Sequence, residues 1–374
     1  MRALAILAVV FGHSFWFLSR IDSLPVFGNV LKYLIHYSRF GGVFGVELFF
    51  VLSGFLIGKI IIRSFVDTPR FSLSDLKNFW VRRWFRTLPD YWLLLTVCFL
   101  LFKWLKPEVP ELNPWQDYFF LQNLWYPYVN NVFNEGWSLA VEEWFYLTLP
   151  VTIYLCSLIF SHTNKPKFLI RVFIGYMAFF ILLRAFNAVH PINGADSDEG
   201  IRKVVVFRLD AVMYGVIFAW LNEYKKEFLT RIKKYLFGIS VVASVVIYYL
   251  ATKYQLFYYA RSPIGMYLRD AFFYFIIPVF VSLCLPFASG IKRIGNRGLA
   301  RVIQFISRIS YSMYLVHYTL IFLAFYRDAK VASPYGVMAL YMLYWVVVIG
   351  LSALIYKYFE YPIMQLRDRI SPRG

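Results

Sequence analysis

Long apolar runs recur along the chain, and short segments that hold most of the charged residues separate them. A helix needs about 20 residues to cross the hydrocarbon core of a bilayer, and most of the runs come close to that length. The pattern predicts an all-α, polytopic membrane protein with about ten transmembrane helices. The predicted spans are 2–19, 42–62, 87–103, 140–160, 168–186, 204–221, 236–252, 268–287, 307–326 and 336–357.

The composition supports this interpretation. Hydrophobic residues make up 60% of the chain and charged residues 16%, whereas soluble domains hold roughly 45–50% apolar and about 25% charged residues. The excess of apolar surface is therefore expected to face lipid. We expect residues 1–374 to form a single membrane domain with no fused soluble domain. The spacing of the cysteines and histidines predicts neither a disulfide framework nor a metal site.

The distribution of basic residues predicts the orientation. Lysine and arginine are concentrated in alternate segments, such as 63–86, 222–235 and 288–308, which lie on the same side as the N-terminus in this topology. Basic loops stay in the cytosol, so both termini are predicted to be cytoplasmic in a multi-pass protein of the inner (plasma) membrane. The net charge of +18 suits contact with anionic lipid and requires no nucleic acid. The predicted external loop 104–139 is rich in aromatics, either as an interfacial belt or as a stacking surface for sugar rings.

Two ionisable residues of the first span lie on one face. Arg2 and His13 are eleven residues apart, which places them about 20° apart around the helix and about 16 Å apart along its axis. His13 is thus expected near mid-bilayer, where an imidazole held by a carboxylate could act as a general base. The alternative is a structural histidine bonded to a neighbouring helix.

A basic cluster precedes the third span. Arg82 and Arg83 stand four and three residues before Arg86, so both can share a face with it. Guanidinium groups in that arrangement could bind phosphates bidentately. The alternative is a cytoplasmic anchor of the helix.

Two adjacent carboxylates begin the fourth span. Ser138 is the predicted N-cap, and Ser138, Glu142 and Tyr146 share one helix face. Glu143 points about 100° away from them. A structural role at the start of the helix accounts for one carboxylate there. It does not readily account for two.

Further polar residues lie in apolar surroundings, where a charge costs roughly 2.5–3.5 kcal/mol. Glu47 is hard to explain by packing, although Gly45 and Gly54 beside it permit close helix approach. Arg208 and Asp210 are two residues apart, cannot face each other on a helix, and so need partners on other spans. These residues and His317 are each either structural or functional.

These segments together resemble the acyltransferase-3 family of membrane acyltransferases, and the resemblance extends over nearly the whole chain. The matching segments are Arg2 and His13 with ten residues between them, the stretch 45–57, the arginines Arg82, Arg83 and Arg86 with Pro89, the Trp137–Tyr146 motif with Ser138 and Glu142, Arg208 with Asp210, the stretch 310–317, and Glu360 with the following Tyr361 and Pro362.

The resemblance implies a ten-helix fold, a cytosolic acyl-CoA donor such as acetyl-CoA, and an acceptor hydroxyl on a cell-surface glycan, its lipid-linked precursor or a small molecule. It also suggests polysaccharide-assembly partners. Members usually have a short cytoplasmic lead before the arginine, which this sequence lacks. Some members carry a fused esterase-like domain, for which this chain has no room.

The resulting hypothesis places the donor phosphates at Arg82, Arg83 and Arg86, with Arg2 steadying the donor. His13 is the general base or a transient acyl carrier, and Glu142 orients it. The supporting residues are Glu47, Ser53, Trp137, Ser138, Tyr146, Arg208, Asp210 and His317. One alternative is a proton-coupled transporter of glycan or acylated intermediates, against which we find no internal repeat. A weaker alternative is a structural scaffold.

Overall fold

The computed structural model describes residues 1–14, 28–105, 114–126, 133–161, 163–189, 198–253, 269–291, 294–326, 329 and 333–371. Within these ranges the regular structure is entirely helical, which confirms the all-α prediction. The predicted external loop 104–139 lies partly outside the described residues. The α-helices are α1 Arg2–Ser14, α2 Gly28–Asp67, α3 Leu73–Leu105, α4 Pro114–Tyr118, α5 Gly136–Ile159, α6 Lys165–Val189, α7 Leu209–Tyr224, α8 Lys226–Lys253, α9 Tyr274–Ser282, α10 Leu285–Ser289, α11 Arg297–Val316, α12 Pro334–Ile355 and α13 Tyr361–Ile370.

Among the described residues, wider π-helical turns and one 3₁₀ turn interrupt or extend these helices. The π-helical segments are Asp198–Arg202, Arg269–Phe273, His317–Tyr326 and Tyr356–Glu360, and the 3₁₀ turn is Val205–Phe207. Segments of this kind often occur at functional positions, because they change the direction of side chains within a helix.

Among the described residues, six helices are long and apolar enough to cross a membrane. Two shorter apolar segments add to them: α1, and Tyr274–Ser289, which consists of α9 and α10. These helices are consistent with a multi-pass membrane protein. The number of ten spans and the orientation of the termini stay predictions. Two of the predicted spans are not single long helices in the structure. The predicted span 204–221 opens with a 3₁₀ turn, and the span 268–287 is broken between α9 and α10.

Helix α2 is central to the bundle and packs mainly against α7 and α1. At its crossing with α7, a Cβ added to Gly54 would lie 1.9 Å from the carbonyl oxygen of Val212, and one added to Gly215 would lie 2.0 Å from that of Val51. Only glycine allows the two backbones to approach so closely. Gly45 packs in the same way on α1, so the predicted packing role of Gly45 and Gly54 is observed.

Two buried ion pairs join α7 and the residue before it to other helices. Arg208 donates to Glu47 of α2, and Arg184 of α6 donates to Asp210 at 2.8 Å. Each of these four side chains is at most 1% exposed. Arg208 and Asp210 thus have partners on other helices, as their spacing requires. Their contacts stabilise the helix bundle around the site.

Candidate active site

A cavity of about 360 Å³ lies between α1, α2, α3, α5 and α11. Its charged lining consists of three guanidinium groups, those of Arg2, Arg83 and Arg86, and one carboxylate, that of Glu142. This excess of positive charge suits an anionic ligand. The rest of the lining mixes hydroxyl and apolar side chains: Val46, Phe49, Phe50, Leu52, Ser53, Leu56, Ile57, Ile60, Thr87, Ser138, Leu139, Ser310, Tyr311 and Tyr314.

The predicted trio of arginines on α3 is divided in the structure. Arg83 and Arg86 line the cavity together with Arg2, whereas Arg82 bonds to the C-terminal end of the chain. Arg82 donates to the carbonyl oxygen of Ser371, just after α13, and to Asp368 at 3.3 Å. Arg82 therefore lies apart from the cavity that Arg83 and Arg86 line. Successive residues point about 100° apart around a helix, so Arg82 and Arg83 face different neighbours.

Glu142 belongs to a hydrogen-bonded network on the cavity wall. Its Oε2 accepts from the hydroxyl of Tyr146 at 2.6 Å and from Arg83 at 3.3 Å. The Tyr146 hydroxyl also bonds to Ser53 of α2, and the Arg83 guanidinium lies 4.0 Å from the centre of the Tyr146 ring. The predicted common face of Ser138, Glu142 and Tyr146 agrees with this arrangement. The network fixes the position of Arg83.

Ser138 is not the N-cap of α5, contrary to the prediction. The helix begins at Gly136, with Glu135 in the cap position, so Ser138 already lies in the first turn. The Ser138 hydroxyl bonds instead to the hydroxyl of Tyr314 at 2.5 Å. Trp137 packs edge-on against Phe50 of the cavity wall, with ring centroids 6.0 Å apart.

His13 pairs with the other predicted histidine, His317. The Nδ1 atom of His13 lies 2.9 Å from Nε2 of His317, and Nδ1 of His317 lies 2.8 Å from the carbonyl oxygen of Tyr314. A carbonyl oxygen only accepts, so His317 carries its proton on Nδ1 and accepts at Nε2. His13 then donates from Nδ1, which leaves the lone pair on its Nε2 free. This tautomer is the one that a general base requires.

The predicted pairing of His13 with Glu142 is not observed: Nδ1 of His13 bonds to His317, and Oε2 of Glu142 accepts from Arg83 and Tyr146. Among the described residues, neither histidine belongs to the cavity wall. Tyr314 links the cavity wall to the histidine pair. Its hydroxyl bonds to Ser138 of the cavity wall, and its carbonyl oxygen bonds to His317. Spacing along the sequence could not identify Tyr314, although it lies three residues before His317.

Two acidic residues near the histidine pair lie outside the helical spans: the Glu135 carboxylate accepts from Thr319, two residues after His317, and the charge of Asp198 acts on His13. Burial raises the pKa of the Glu135 carboxyl to about 8, even though hydrogen bonds from Thr319 act in the opposite direction. Burial would also raise the pKa of Asp198, but the charges and hydrogen bonds of Arg202 and Lys203 outweigh it and hold this pKa well below its usual value. Glu135 is thus largely protonated near neutral pH, whereas Asp198 is ionised and balances the two cations.

Comparison with known proteins identifies the relatives of this chain. The model of the acyltransferase-3 family, described as an acyltransferase domain, matches residues 1–357. O-acetyltransferase OatA of Staphylococcus aureus strain NCTC 8325 is 28% identical over 327 residues, which cover 81% of this chain and 50% of OatA. A provisionally named O-acetyltransferase of Staphylococcus aureus strain COL is 28% identical over 339 residues, 84% of this chain and 52% of the relative.

The chain spans about half the length of the curated relatives that it matches. No solved structure gives a significant match. The family model extends over nearly all of the sequence, from α1 to the π-helical turn before α13. The chain therefore belongs to the acyltransferase-3 family of membrane acyltransferases.

Proposed function

We propose that this protein is a membrane-embedded O-acyltransferase that moves an acetyl group from acetyl-CoA to a hydroxyl of a cell-surface glycan or its lipid-linked precursor. The observation that carries the proposal is the cationic cavity of Arg2, Arg83 and Arg86, together with the His13–His317 pair. Family membership supports acyl transfer, and relatives named as O-acetyltransferases support acetyl as the group moved.

The three cavity arginines suit the phosphates of coenzyme A. Guanidinium groups bind phosphate oxygens in pairs of parallel hydrogen bonds, and they keep their charge in a desolvated site. Glu142 holds Arg83 through a 3.3 Å contact, so we assign it as a positioning residue for the donor site. The apolar residues of the same wall would take the uncharged arm of the donor.

The length of α1 sets the separation between donor binding and chemistry. Arg2 lines the cavity and His13 lies at the other end of the helix, about 16 Å further along its axis. A ligand that binds at Arg2 and reacts near His13 must therefore be long and thin at its reactive end. An acyl thioester on the extended arm of coenzyme A has this shape.

In the proposed reaction, Nε2 of His13 takes the proton of the acceptor hydroxyl while the hydroxyl oxygen attacks the thioester carbon. The new C–O bond forms, the C–S bond breaks, and the thiolate of coenzyme A receives the proton from His13. His317 accepts from Nδ1 of His13 throughout, so that Nε2 is the atom that takes and returns the proton. A two-step route, in which His13 carries the acetyl group between donor and acceptor, uses the same atoms.

The basic-residue asymmetry supports an inner-membrane location with both termini in the cytosol. The donor would then bind from the cytosolic side, close to Arg2. We further propose that proteins of polysaccharide assembly supply the acceptor as a lipid-linked intermediate.

The donor half of the proposal can be tested on purified protein in liposomes. Acetyl-CoA should be consumed, with release of the free thiol, when an extract of cell-surface glycan is present. The His13→Ala variant should bind acetyl-CoA as the parent does but release no thiol above background. Transport of glycan across the liposome without acetyl-CoA consumption would instead favour the proton-coupled transporter.

A further inference from the structure

A second, smaller groove of about 160 Å³ lies where α3 and α5 meet the segment 114–126. Aromatic side chains form most of its wall, among them Trp84, Trp92 and Trp144. Trp84 is 38% exposed and Trp92 41% exposed, so the groove opens on the outside of the bundle. Because α3 and α5 are both candidate membrane spans, this is a surface that lipid would cover.

Glu143 lies in the wall of this groove and is 7% exposed. Its Oε2 atom is buried and has no hydrogen-bond partner among the described residues. An unpaired carboxylate oxygen in apolar surroundings is costly, and a ligand that donates an O–H group would remove this cost. The neighbouring Glu142 faces the arginine cavity, because one residue along a helix turns the side chain by about 100°. Helix α5 therefore places Glu142 in the wall of the arginine cavity and Glu143 in the wall of the groove.

The groove wall is held rigidly by hydrogen bonds from its own indole groups. The Trp92 indole donates to the carbonyl of Tyr118 at 3.1 Å, and the Trp144 indole donates to the carbonyl of Phe120 at 2.8 Å. Phe120 also has a positive φ of 56°, a backbone conformation that a bulky L-residue rarely adopts. Such strain persists only where the surroundings enforce it, and it occurs often at ligand sites.

The chemistry of the groove selects among possible ligands. A pure hydrocarbon would pack against the tryptophans but would leave Glu143 Oε2 unpaired. A free sugar would satisfy Glu143 but gains nothing from a surface covered by lipid. An amphiphile with a sugar at one end and a hydrocarbon chain at the other satisfies both requirements, since aromatic rings pack against the apolar faces of sugars as well as against alkyl chains.

We infer that this groove binds the sugar end of a lipid-linked glycan, with a sugar hydroxyl donating to Oε2 of Glu143. The inference rests on the proposed function and deepens it: the acceptor is lipid-linked, and it approaches from the membrane side, separately from the donor. Trp84, Trp92 and Glu143 then determine which acceptors bind.

The test uses full-length protein in liposomes and an alkyl glucoside with a photoreactive diazirine in its chain. A second probe has the same chain and a permethylated glucose head, which keeps the sugar ring but offers no O–H donor, and a third has a per-O-acetylated head of greater bulk as a control for size. After irradiation, mass spectrometry locates the labelled residues, and unlabelled alkyl glucoside competes for the site. Release of free coenzyme A is measured on the same preparations.

The glucoside should label residues of α3 and α5 around the groove, and the permethylated probe should label them about tenfold less, as expected for a lost hydrogen bond to a carboxylate. Glu143→Leu should weaken labelling by the glucoside to a similar degree, and Glu143→Gln by less. Trp104→Ala is the matched control, because Trp104 is 77% exposed on the same helix α3 and lies outside the groove wall. It should leave labelling unchanged.

Equal labelling by the glucoside and the permethylated probe would overturn the inference, because the groove would then hold only a lipid chain. Labelling elsewhere on the bundle would overturn it too, whatever the acyltransferase activity. If the groove is labelled as expected but no preparation consumes acetyl-CoA, the acceptor site stands and the proposed reaction is wrong.

Discussion

Replacing His317 with leucine removes the atom that keeps the proton of His13 on Nδ1. In the structure this atom is Nε2 of His317, 2.9 Å from Nδ1 of His13, and the carbonyl of Tyr314 holds the His317 ring at 2.8 Å. Without the acceptor, His13 can take the tautomer that has its proton on Nε2, and this atom then has no lone pair with which to take the proton of the acceptor hydroxyl. Loss of an orienting partner or a general base costs about 10² to 10⁴ in rate, or about 3 to 5 kcal/mol.

The assay measures kcat and KM for acetyl-CoA with purified variants in liposomes. The kcat of His317→Leu should fall by this factor while the KM for acetyl-CoA stays near the parent value, because His317 does not line the arginine cavity. The matched variant His317→Gln keeps an oxygen that can accept from Nδ1 of His13, so it should retain more activity than the leucine variant. Adding His317→Leu to His13→Ala should cost little further, since the two residues act as one unit.

Three results would refute this reasoning. The first is a near-normal kcat in His317→Leu, and the second is an equal loss of kcat in the leucine and glutamine variants. The third is a double variant whose loss of kcat equals the product of the losses in His13→Ala and His317→Leu. Each would mean that His317 packs beside His13 without fixing its tautomer.

Three further predictions concern the donor site and the helix contacts. Arg86→Gln should raise the KM for acetyl-CoA about tenfold or more, whereas Arg82→Gln should leave it unchanged, because Arg82 bonds to the C-terminal segment; equal effects would contradict the division of the arginines. Gly54→Ala should lower thermal stability in detergent by about 1–3 kcal/mol or more, since its Cβ would lie 1.9 Å from a carbonyl oxygen; Gly175→Ala, with nothing within 4 Å of the new Cβ, is the control and should melt like the parent. Asp210→Leu should lose about 3–5 kcal/mol, because it leaves a fully buried arginine without its counter-charge; an unchanged melting temperature would show that this pair does not stabilise the fold.

Helical periodicity predicted several features of the site correctly. It placed Ser138, Glu142 and Tyr146 on one face, and it required partners on other helices for Arg208 and Asp210. These predictions need only the angle between residues around a single helix, which the sequence determines. The cost of charge in apolar surroundings then indicated that such residues would be paired.

The contacts between helices could not be predicted from the sequence, because they depend on how each helix is rotated relative to its neighbours. Arg82 and Arg83 are equally plausible as phosphate ligands from spacing, and only the position of α13 separates them. The partner of His13 comes from a residue 304 positions away, and no local pattern distinguishes His317 from Glu142 as that partner. Spacing predicts that Glu142 and Glu143 of α5 point in different directions, but it does not predict the groove at Glu143, because side chains from separate elements form it.

The most direct test of the account is transfer of labelled acetyl from acetyl-CoA into a glycan by the purified protein and its His13→Ala variant. Membranes or liposomes that contain the protein receive acetyl-labelled acetyl-CoA and lipid-linked glycan extracted from the source cells, and the label is followed into the extracted glycan as an alkali-labile ester. We expect ester label with the parent protein and none above background with His13→Ala, although both bind acetyl-CoA equally. Equal labelling of the glycan by the two proteins would contradict this expectation.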